Sequence, residues 1–411
     1  MPDAGRAASP RLKQHRAFAL FWCARTATVA AYQMQAVAIG WQIYAITGSA
    51  LDLGLVGLVQ FFPVVLLAPL VGQAADHFDR RSLARTCQIV KALAGAAFAL
   101  GTAGGWLGRD AILAILLLTG TARAFETPTL HALVPSLVPA TLLPRAIAAS
   151  ATANQTAIVC GPALGGLLYV LGPVAVYGVC TAVFVLASVL VSLLPAAPRA
   201  GGRLPFSIAN LFAGFAYIGS HRVLLGAVSL DLFAVLLGGV TALLPIYARD
   251  ILHTGPWGLG LLRSAPAVGA LVMSLMLTRR AFERRVGAVL FSSVAGFGLA
   301  AIVFALSTSF ALSLAALAVY GAADAASVVI RQSLVQTQTP GDMLGRVMAV
   351  NSMCTGTSGT LGEFRAGLIA ALAGAVPSVL VGGVGALLVA AIWMRLFPEL
   401  ARISSLRQSP A

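Results

Sequence analysis

The sequence predicts an all-α membrane protein in which twelve transmembrane helices form two pseudo-symmetric bundles of six. Three observations predict this fold class. The chain has 411 residues, of which 59% are hydrophobic and only 10% are charged, whereas a soluble domain is about 25% charged. Twelve apolar runs are long enough to cross a bilayer, which takes about 20 residues. The two halves of the chain also share short motifs at one constant offset.

The twelve runs follow one another with short connections, except in the middle of the chain. In chain order they cover 18–46, 52–74, 83–104, 111–132, 146–171, 174–194, 223–250, 257–278, 286–307, 310–332, 346–372 and 375–397. The stretch between the sixth and seventh runs is rich in Pro, Gly and Arg, which indicates a linker. Its last part, FSIANLFAGFAYIGSHR, is a candidate amphipathic helix on the membrane surface.

These boundaries divide the chain into five parts. We expect an N-terminal tail at 1–17, a first six-helix bundle at 18–194, a linker at 195–222, a second bundle at 223–397 and a C-terminal tail at 398–411. Duplicated halves of this kind place a site between them.

Basic residues predict how the chain lies in the membrane. If the N-terminus is cytoplasmic, most of the 27 Lys and Arg residues fall in cytoplasmic segments, and only Arg109 and Arg249 fall on the other side. Positively charged loops stay in the cytoplasm. We therefore expect a multi-pass protein with both termini in the cytoplasm.

The repeat is clearest in two segments of sixteen residues. PSLVPATLLPRAIAAS at 135–150 resembles QTQTPGDMLGRVMAVN at 336–351. The same offset matches Gly161 to Gly362 and Gly166 to Gly367. This correspondence supports a duplicated architecture.

The loop GQAADHFDRR, between the second and third runs, resembles the signature loop of the major facilitator superfamily. The residues that match the signature are Gly72, Asp76, Arg80 and Arg81. The resemblance implies that Asp76 and Arg80 stabilise an outward-facing state at the interface of the two halves. Alternatively, the two arginines only anchor the loop in the cytoplasm. Asp79 occupies a position that is usually Gly, and we expect it to be a local partner of Arg80 or Arg81.

The segment GPALGGLL in the fifth run resembles the antiporter motif of the same superfamily. Its matching residues are Gly161, Pro162, Gly165 and Gly166. Small residues at this spacing let helices approach closely, and Pro162 introduces a kink, so plain helix packing is the alternative interpretation. ETPTLHALVPSLVP, LLPIYARDIL and GTLGEFRAGLIAAL resemble the bacterial branch of enterobactin exporters and drug-efflux members. The resemblance implies the major facilitator fold in the bacterial inner membrane.

Ionisable residues within the runs are the candidate functional groups, because a charge inside a membrane costs about 2.5–3.5 kcal/mol and normally faces a partner or a cavity. A buried carboxylate whose surroundings change can bind and release a proton. The proton-coupling candidates are Glu126, Asp231, Asp324 and Glu363.

Arginines within the runs are candidate charge partners or gates. Arg123 and Glu126 are three residues apart and share a helix face. Arg123 and Asp324 correspond in the repeat, and a pair between them would form a cytoplasmic gate. Arg263 is a candidate partner of Glu363. The candidate partners or gates are Arg25, Arg123, Arg263 and Arg365, and Lys91 and Arg331 are further candidate bases within the runs. The alternative is that each charge merely satisfies a neighbour.

Uncharged polar residues in two runs are candidates to line the cavity, or alternatively to form interhelical hydrogen bonds. They are Tyr32, Gln33, Gln35, Asn154 and Gln155.

The sequence also excludes several functions. It has no GxxxxGK[ST] loop for ATP, its five His residues are isolated, and no catalytic constellation is present, so we expect neither an enzyme nor a metal or other cofactor. The basic residues are dispersed, which argues against nucleic acid as a partner. We predict a monomeric exporter of an amphipathic small molecule, such as a siderophore or a drug. It would work by alternating access and be driven by the proton gradient. The alternatives are a facilitator or importer of the same fold, and a membrane scaffold or sensor that transports nothing.

Overall fold

The computed structural model describes residues 15–68, 70–71, 78–195, 208–279 and 285–404. These residues are predominantly helical and contain no β-strand. Nine helical segments within these ranges are long and apolar enough to cross a membrane. The remaining three predicted runs also fall on helices; two of these are long helices that carry more polar residues, and one is a shorter helix.

The described part of the first half contains six long α-helices, and local signals in the sequence set several of their ends. Gly48 ends the first helix in the left-handed conformation (φ 62°), and the Ser49 side chain accepts a hydrogen bond from Asp52 N at the start of the second. Pro173 stands in the first turn of the sixth helix. The helices are α1 (Arg16–Thr47), α2 (Ala50–Leu66), α3 (Arg80–Ala103), α4 (Arg109–Leu137), α5 (Leu143–Leu168) and α6 (Pro173–Ser192).

The second half contains the same arrangement after a linker helix. The predicted seventh span is broken at Gly239, whose φ is 69°, and it continues as a π-helical turn over Tyr247–Ile251. The helices are α7 (Ile208–Ser220) in the linker, α8 (Arg222–Gly238), α9 (Val240–Ile246), α10 (Gly255–Arg279), α11 (Val286–Leu306), α12 (Phe310–Gln338), α13 (Gly341–Ala373), α14 (Ala375–Leu396) and the short α15 (Pro398–Ala401).

Close contacts at equivalent glycines show the two-fold relation between the halves. A methyl group on Gly166 of α5 would lie 2.9 Å from Gly260 Cα of α10, in the other half. A methyl group on the equivalent Gly367 of α13 would lie 2.9 Å from Gly54 Cα of α2. Both helices therefore bridge the halves through a glycine. This geometry confirms the predicted pair of pseudo-symmetric six-helix bundles.

Hydrophobic cores show where the halves are joined. We call the ends of the helices where α1 begins and α14 ends the basic face, and the other ends the opposite face. Near the opposite face a single core contains residues of both halves, including Ile43, Tyr177, Leu244 and Phe304. Near the basic face each half has cores of its own. Among the described residues, the core that the two bundles share lies near the opposite face.

The linker helix α7 packs against the second half. Ile218 is buried in a core with Leu224 and Val350. On the same helix Phe212 is 70% exposed. The helix therefore has one packed side and one apolar side without a protein neighbour in the described ranges, as an amphipathic helix on a membrane surface would have.

Candidate functional site

A central cavity of about 680 Å³ lies between the two halves. Helices α1, α2 and α4 line it from the first half, and α9, α10 and α13 line it from the second. It extends from Gly40 and Thr241, next to the shared core near the opposite face, to Val71 and Pro128 towards the basic face. Polar groups stand on an otherwise apolar wall, as is usual for small-molecule sites. The polar lining residues are Tyr32, Gln33, Gln60, Arg123, Thr127, Thr241, Arg263, Thr360 and Glu363.

On the wall from the first half, Arg123, Tyr32 and Gln60 form one hydrogen-bonded unit. Arg123 Nη1 donates to Tyr32 Oη at 2.6 Å, and Tyr32 Oη donates to Gln60 Oε1 at 2.7 Å. The Arg123 guanidinium also lies 4.8 Å from the centre of the Tyr32 ring, within range of a cation–π interaction. The unit presents an exposed guanidinium to the cavity, with no ion-pair partner among the residues described.

On the wall from the second half, Glu363 and Arg263 bind different partners. Glu363 Oε1 accepts a hydrogen bond from Thr241 Oγ1 at 2.9 Å. Arg263 Nη1 donates to the Ala36 carbonyl of the other half at 2.6 Å. The expected Arg263–Glu363 ion pair is therefore not formed. Arg263 binds a backbone carbonyl instead, and Glu363 binds a hydroxyl group.

Glu126 lies outside the central cavity, inside the first half. Its carboxylate forms a buried ion pair with Lys91 of α3, and Gln88 Nε2 donates to Glu126 Oε1 at 2.5 Å. Gln88 also donates to Thr28 Oγ1 at 2.9 Å. Arg123 and Glu126 thus contact different neighbours, although they are three residues apart. This pairing was not predicted, although Lys91 is a candidate base within the third apolar run.

Asp231 has a similar partner in the second half. Arg331 Nη1 lies 2.5 Å from Asp231 Oδ2, and each side chain is only 5% exposed. Thr355 Oγ1 donates to the same oxygen at 2.9 Å. Asp324 and Ser327 line a small neighbouring cavity together with Asp231. Arg331 is a candidate base within the tenth apolar run, but its pairing with Asp231 was not predicted, and the packing of α12 against α8 brings the two side chains together.

The predicted gate between Arg123 and Asp324 is not formed in this structure. Arg123 faces the central cavity and Asp324 lies within the second half, so each remains in its own bundle. Arg25 also stays within the first half, where its Nη2 lies 3.1 Å from His131 Nε2.

Arg365 binds backbone carbonyls at the break in the seventh span and not a carboxylate. Its Nη2 donates to the carbonyls of Leu237 at 2.6 Å and Gly238 at 3.2 Å. These carbonyls end α8 and lack partners in the helix, and a cation suits the negative end of a helix. Arg365 Nε and Nη1 are buried and have no hydrogen-bond partner among the described residues.

Part of the signature loop, including Gly72 and Asp76, lies outside the described residues. Arg80 Nη1 donates to the Ala132 carbonyl at 3.1 Å and so ties α3 to α4. Asp79 differs from the expectation, since it caps α3 by accepting from Arg81 N at 3.4 Å and Ser82 N at 3.3 Å. Its partner is thus the Arg81 backbone, not an arginine side chain.

The candidate cavity residues divide into three groups. Tyr32 and Gln33 line the central cavity, and Gln35 lines a smaller cavity beside it. Asn154 and Gln155 belong to neither lining. The reason is that α5 presents its glycines to α1: a methyl group on Gly161 would lie 2.7 Å from Gln33 Cβ, and one on Gly165 would lie 2.7 Å from Met34 Cα.

Polar contacts also join the halves near the opposite face. The Tyr44 hydroxyl donates to Asp250, and Arg249 lies 5.7 Å from the centre of the Tyr44 ring. Arg249 and Asp250 belong to the π-helical turn after α9, and π-helical turns frequently occur at functional sites. Together with the shared core, this contact closes the cavity at the opposite face.

Comparison of the sequence with known families gives one match along almost the whole chain. The family model described as "Transmembrane secretion effector" matches residues 8–410. The enterobactin exporter EntS of Citrobacter koseri is 28% identical over 403 residues, which are 97% of this chain and 95% of that protein. EntS of Escherichia coli O1:K1 is 27% identical over the same coverage.

Solved structures show the same fold at much lower identity. A bacterial homologue of the human lysosomal transporter Spinster, in an inward-facing and unoccupied conformation, matches with a TM-score of 0.75 and 14% identity, over 98% of this chain and 100% of that one. An inward-facing bacterial homologue of the iron transporter ferroportin matches with a TM-score of 0.71 and 17% identity, over 96% of this chain and 100% of that one. These likenesses confirm the fold.

Proposed function

Because the chain belongs to the transmembrane secretion effector family of the major facilitator superfamily, we propose that it exports an amphipathic small molecule of the siderophore or drug type across the bacterial inner membrane. The relatives with 27–28% identity over nearly their whole length are named as enterobactin exporters. Their similarity supports export and makes a siderophore the first cargo to test.

One observation carries this proposal, namely the cavity of about 680 Å³ between the halves. It has the size of a small-molecule site. It is closed by the shared core at the opposite face, while the halves have separate cores at the basic face. With the basic face in the cytoplasm, this is the arrangement that an exporter needs in order to load its cargo.

Alternating access supplies the release step. The two halves would part at the opposite face, breaking the contact of Tyr44 with Asp250, and would close at the basic face. The two solved neighbours described as inward-facing support the assignment of the present arrangement to the loading state. Asp76 and Arg80 would then hold the basic face closed in the outward-facing state.

Proton entry is the proposed source of energy. The four candidate carboxylates lie within the membrane-spanning helices, and those of Glu126 and Asp231 are held by buried cations. A carboxylate that loses its cation in the other state would bind a proton there and release it in the present state. The proposed carriers are Glu126, Asp231, Asp324 and Glu363.

A deletion strain tests export directly. Under iron limitation we expect the strain to secrete less siderophore than its parent, or to become more sensitive to members of a drug panel, and the intact gene to restore the parental profile. If secretion and drug sensitivity are both unchanged, the exporter proposal is refuted.

Purified protein in proteoliposomes tests the coupling. Enterobactin is the first probe, and a proton-sensitive dye inside the vesicles reports proton movement. An antiporter moves protons against the cargo, an importer coupled by symport moves them with it, and a scaffold or sensor moves neither. We expect Glu126→Gln or Asp231→Asn to abolish pH-driven transport while binding of the probe survives. Full pH-driven transport in both variants would remove them from the coupling site.

A further inference from the structure

A second, much smaller cavity lies inside the first half, beside the central one. Its volume is about 10 Å³, which is near the space that one water molecule requires. Five of its nine lining residues carry a polar side-chain group. The polar lining residues are Tyr32, Gln35, Gln60, Lys91 and Thr119.

Gln35 has an unused donor in this cavity. The side chain is buried, with 5% of the residue exposed. Its Nε2 has no hydrogen-bond partner in the described part of the chain. Nearly all buried polar groups have a partner, whether protein or ordered water. The orphaned amide therefore indicates a bound water, and buried waters typically make about three hydrogen bonds. The neighbouring polar side chains can supply the others.

The small cavity lies between the central cavity and the buried ion pair of Lys91 with Glu126. Tyr32 and Gln60 line both cavities and are hydrogen-bonded to each other at 2.7 Å. Lys91 lines the small cavity and contacts Glu126 on its other side. One water molecule in the small cavity would therefore complete a hydrogen-bonded path from the Tyr32–Gln60 pair to Lys91.

We propose that this cavity holds a water molecule that carries protons between the central cavity and Glu126, with Lys91 as the relay and Gln35 as the residue that positions the water. Lys91 passes one ammonium proton to the water and takes the proton of the Glu126 carboxylic acid. The net result is a Glu126 carboxylate, an unchanged Lys91 ammonium and a proton in the central cavity. This inference rests on the proposed proton coupling and names the route for it.

The charges around Glu126 agree with this assignment. The ionisable groups that face its carboxylate are Lys91 and Cys87 on α3 and Arg25 on α1. Two of these are cations and one is a thiol, so the Glu126 carboxylate lies among groups of opposite or no charge. In the proposed cycle, the protein releases its proton to the cytoplasm while the cavity is open to the basic face. The ion pair of Glu126 with Lys91 in this arrangement fits the state that follows this release.

Infrared difference spectroscopy of the full-length protein in lipid tests the water and the acid separately. We expect a pH step to produce a carboxylic acid band that is lost in Glu126→Gln. We also expect an accompanying water O–H band that shifts in H₂¹⁸O. In Gln35→Met, which keeps the size of the side chain and removes the amide, the water band should be lost and the response of the Glu126 band to a pH jump should be slower.

Gln155→Met is the matched control, because Gln155 lies outside the lining of both cavities, and it should keep both bands and the wild-type response. If Gln35→Met does not fold, Thr119→Val replaces it and should shift or weaken the water band. An unchanged water band in a folded Gln35→Met or Thr119→Val variant overturns the proposal, as does an unchanged rate for the Glu126 band. These spectra need neither cargo nor a proton gradient. A protein that exports nothing would therefore still give both bands if the water is present. An exporter that lacks this water would pass the transport tests and fail only in the infrared spectra.

Discussion

Among the residues that the structure describes, each half contains one ion pair with both side chains buried, and neither pair joins the halves. Lys91 and Glu126 meet within the first bundle, and Arg331 and Asp231 meet within the second. Each carboxylate also accepts a hydrogen bond from a neighbouring polar side chain, Gln88 or Thr355. Such pairs are costly to bury but more costly to break, because the remaining charge is left without a partner. They therefore fix how the helices of a half pack.

Loss of Arg331 should destabilise the second half. Arg331→Met leaves Asp231 buried without its cation, and we expect a loss of about 3–5 kcal/mol, seen as a lower midpoint of thermal unfolding in detergent. The control is Arg222→Met, because Arg222 lies 3.6 Å from Glu399 and both side chains are exposed. Exposed pairs contribute about 0–1 kcal/mol. Equal midpoints for the two variants would contradict the structural role of Arg331.

At the scale of elements, the broken seventh span is the part of the bundle that departs most from a regular helix. Gly239 separates α8 from α9, Arg365 binds the freed carbonyls, and Thr241 at the start of α9 binds Glu363. Both charged residues come from α13. Breaks of this kind in membrane helices are tolerated where other groups satisfy the backbone. Here they place α9 and its π-helical turn over the cavity.

Substitution of Gly239 should disturb this break. Its φ of 69° favours glycine, and a methyl group would collide with the Gly362 carbonyl of α13. We expect Gly239→Ala to unfold at a lower temperature than the wild type. Gly296→Ala on α11 is the control, because its methyl group would lie 3.7 Å from Ala323 Cβ, so it should be neutral or slightly stabilising. A Gly239→Ala protein as stable as this control would show that the break tolerates a side chain.

Contact between α5 and α10 should determine whether the opposite face can close. A leucine at Gly166 would overlap the backbone of Pro256 and Gly260, so Gly166→Leu should favour the state that is open at this face. Spin labels at Leu171 and Leu306, after replacement of the five native cysteines, should then give a longer distance.

Gly178→Leu on α6 is the matched control for this experiment, because a methyl group on Gly178 would have no atom of another helix within 4 Å in the described part of the chain. It should keep the distance of the parent. If Gly166→Leu also keeps that distance, the glycine contact does not control closure.

At the scale of the whole molecule, the distribution of hydrophobic cores defines the conformation. The halves share one core at the opposite face and have separate cores at the basic face. Arg80 and Arg145 stand at the basic face, whereas Arg109 stands at the opposite face, where it binds Asp52 at 2.7 Å. The arginine distribution predicts that the basic face is cytoplasmic.

Reporter fusions test this orientation. Green fluorescent protein fused after Ala411 should fluoresce, and alkaline phosphatase at the same position should be inactive, because the C-terminus is expected in the cytoplasm. Fusions at His253, an exposed residue between the π-helical turn and α10, should give the reverse pattern and serve as the control. The opposite result at both positions would invert the predicted orientation and, with it, the direction of loading.

The sequence by itself determined the membrane fold, the positions of the helices and the duplication of the halves. These follow from local properties, because an apolar run in a bilayer must satisfy its own backbone and does so as a helix. The GPALGG segment likewise indicated a close contact between helices, because small residues at this spacing let two helix backbones approach. Tyr32 and Gln33 stood out as cavity candidates for a related reason, because polar side chains in an apolar run need a polar neighbour or water, and both line the central cavity.

Only the tertiary structure decided which charges meet. Arg123 and Glu126 are three residues apart, which separates their directions by about 60° around the helix. That angle sends one side chain into the cavity and the other to Lys91 on α3. Likewise, Arg263 and Arg365 bind backbone carbonyls, and Arg331 binds Asp231, because partners in a bundle depend on how each helix is rotated against its neighbours. Spacing along one helix carries no information about that rotation, and the packing of all twelve helices sets it.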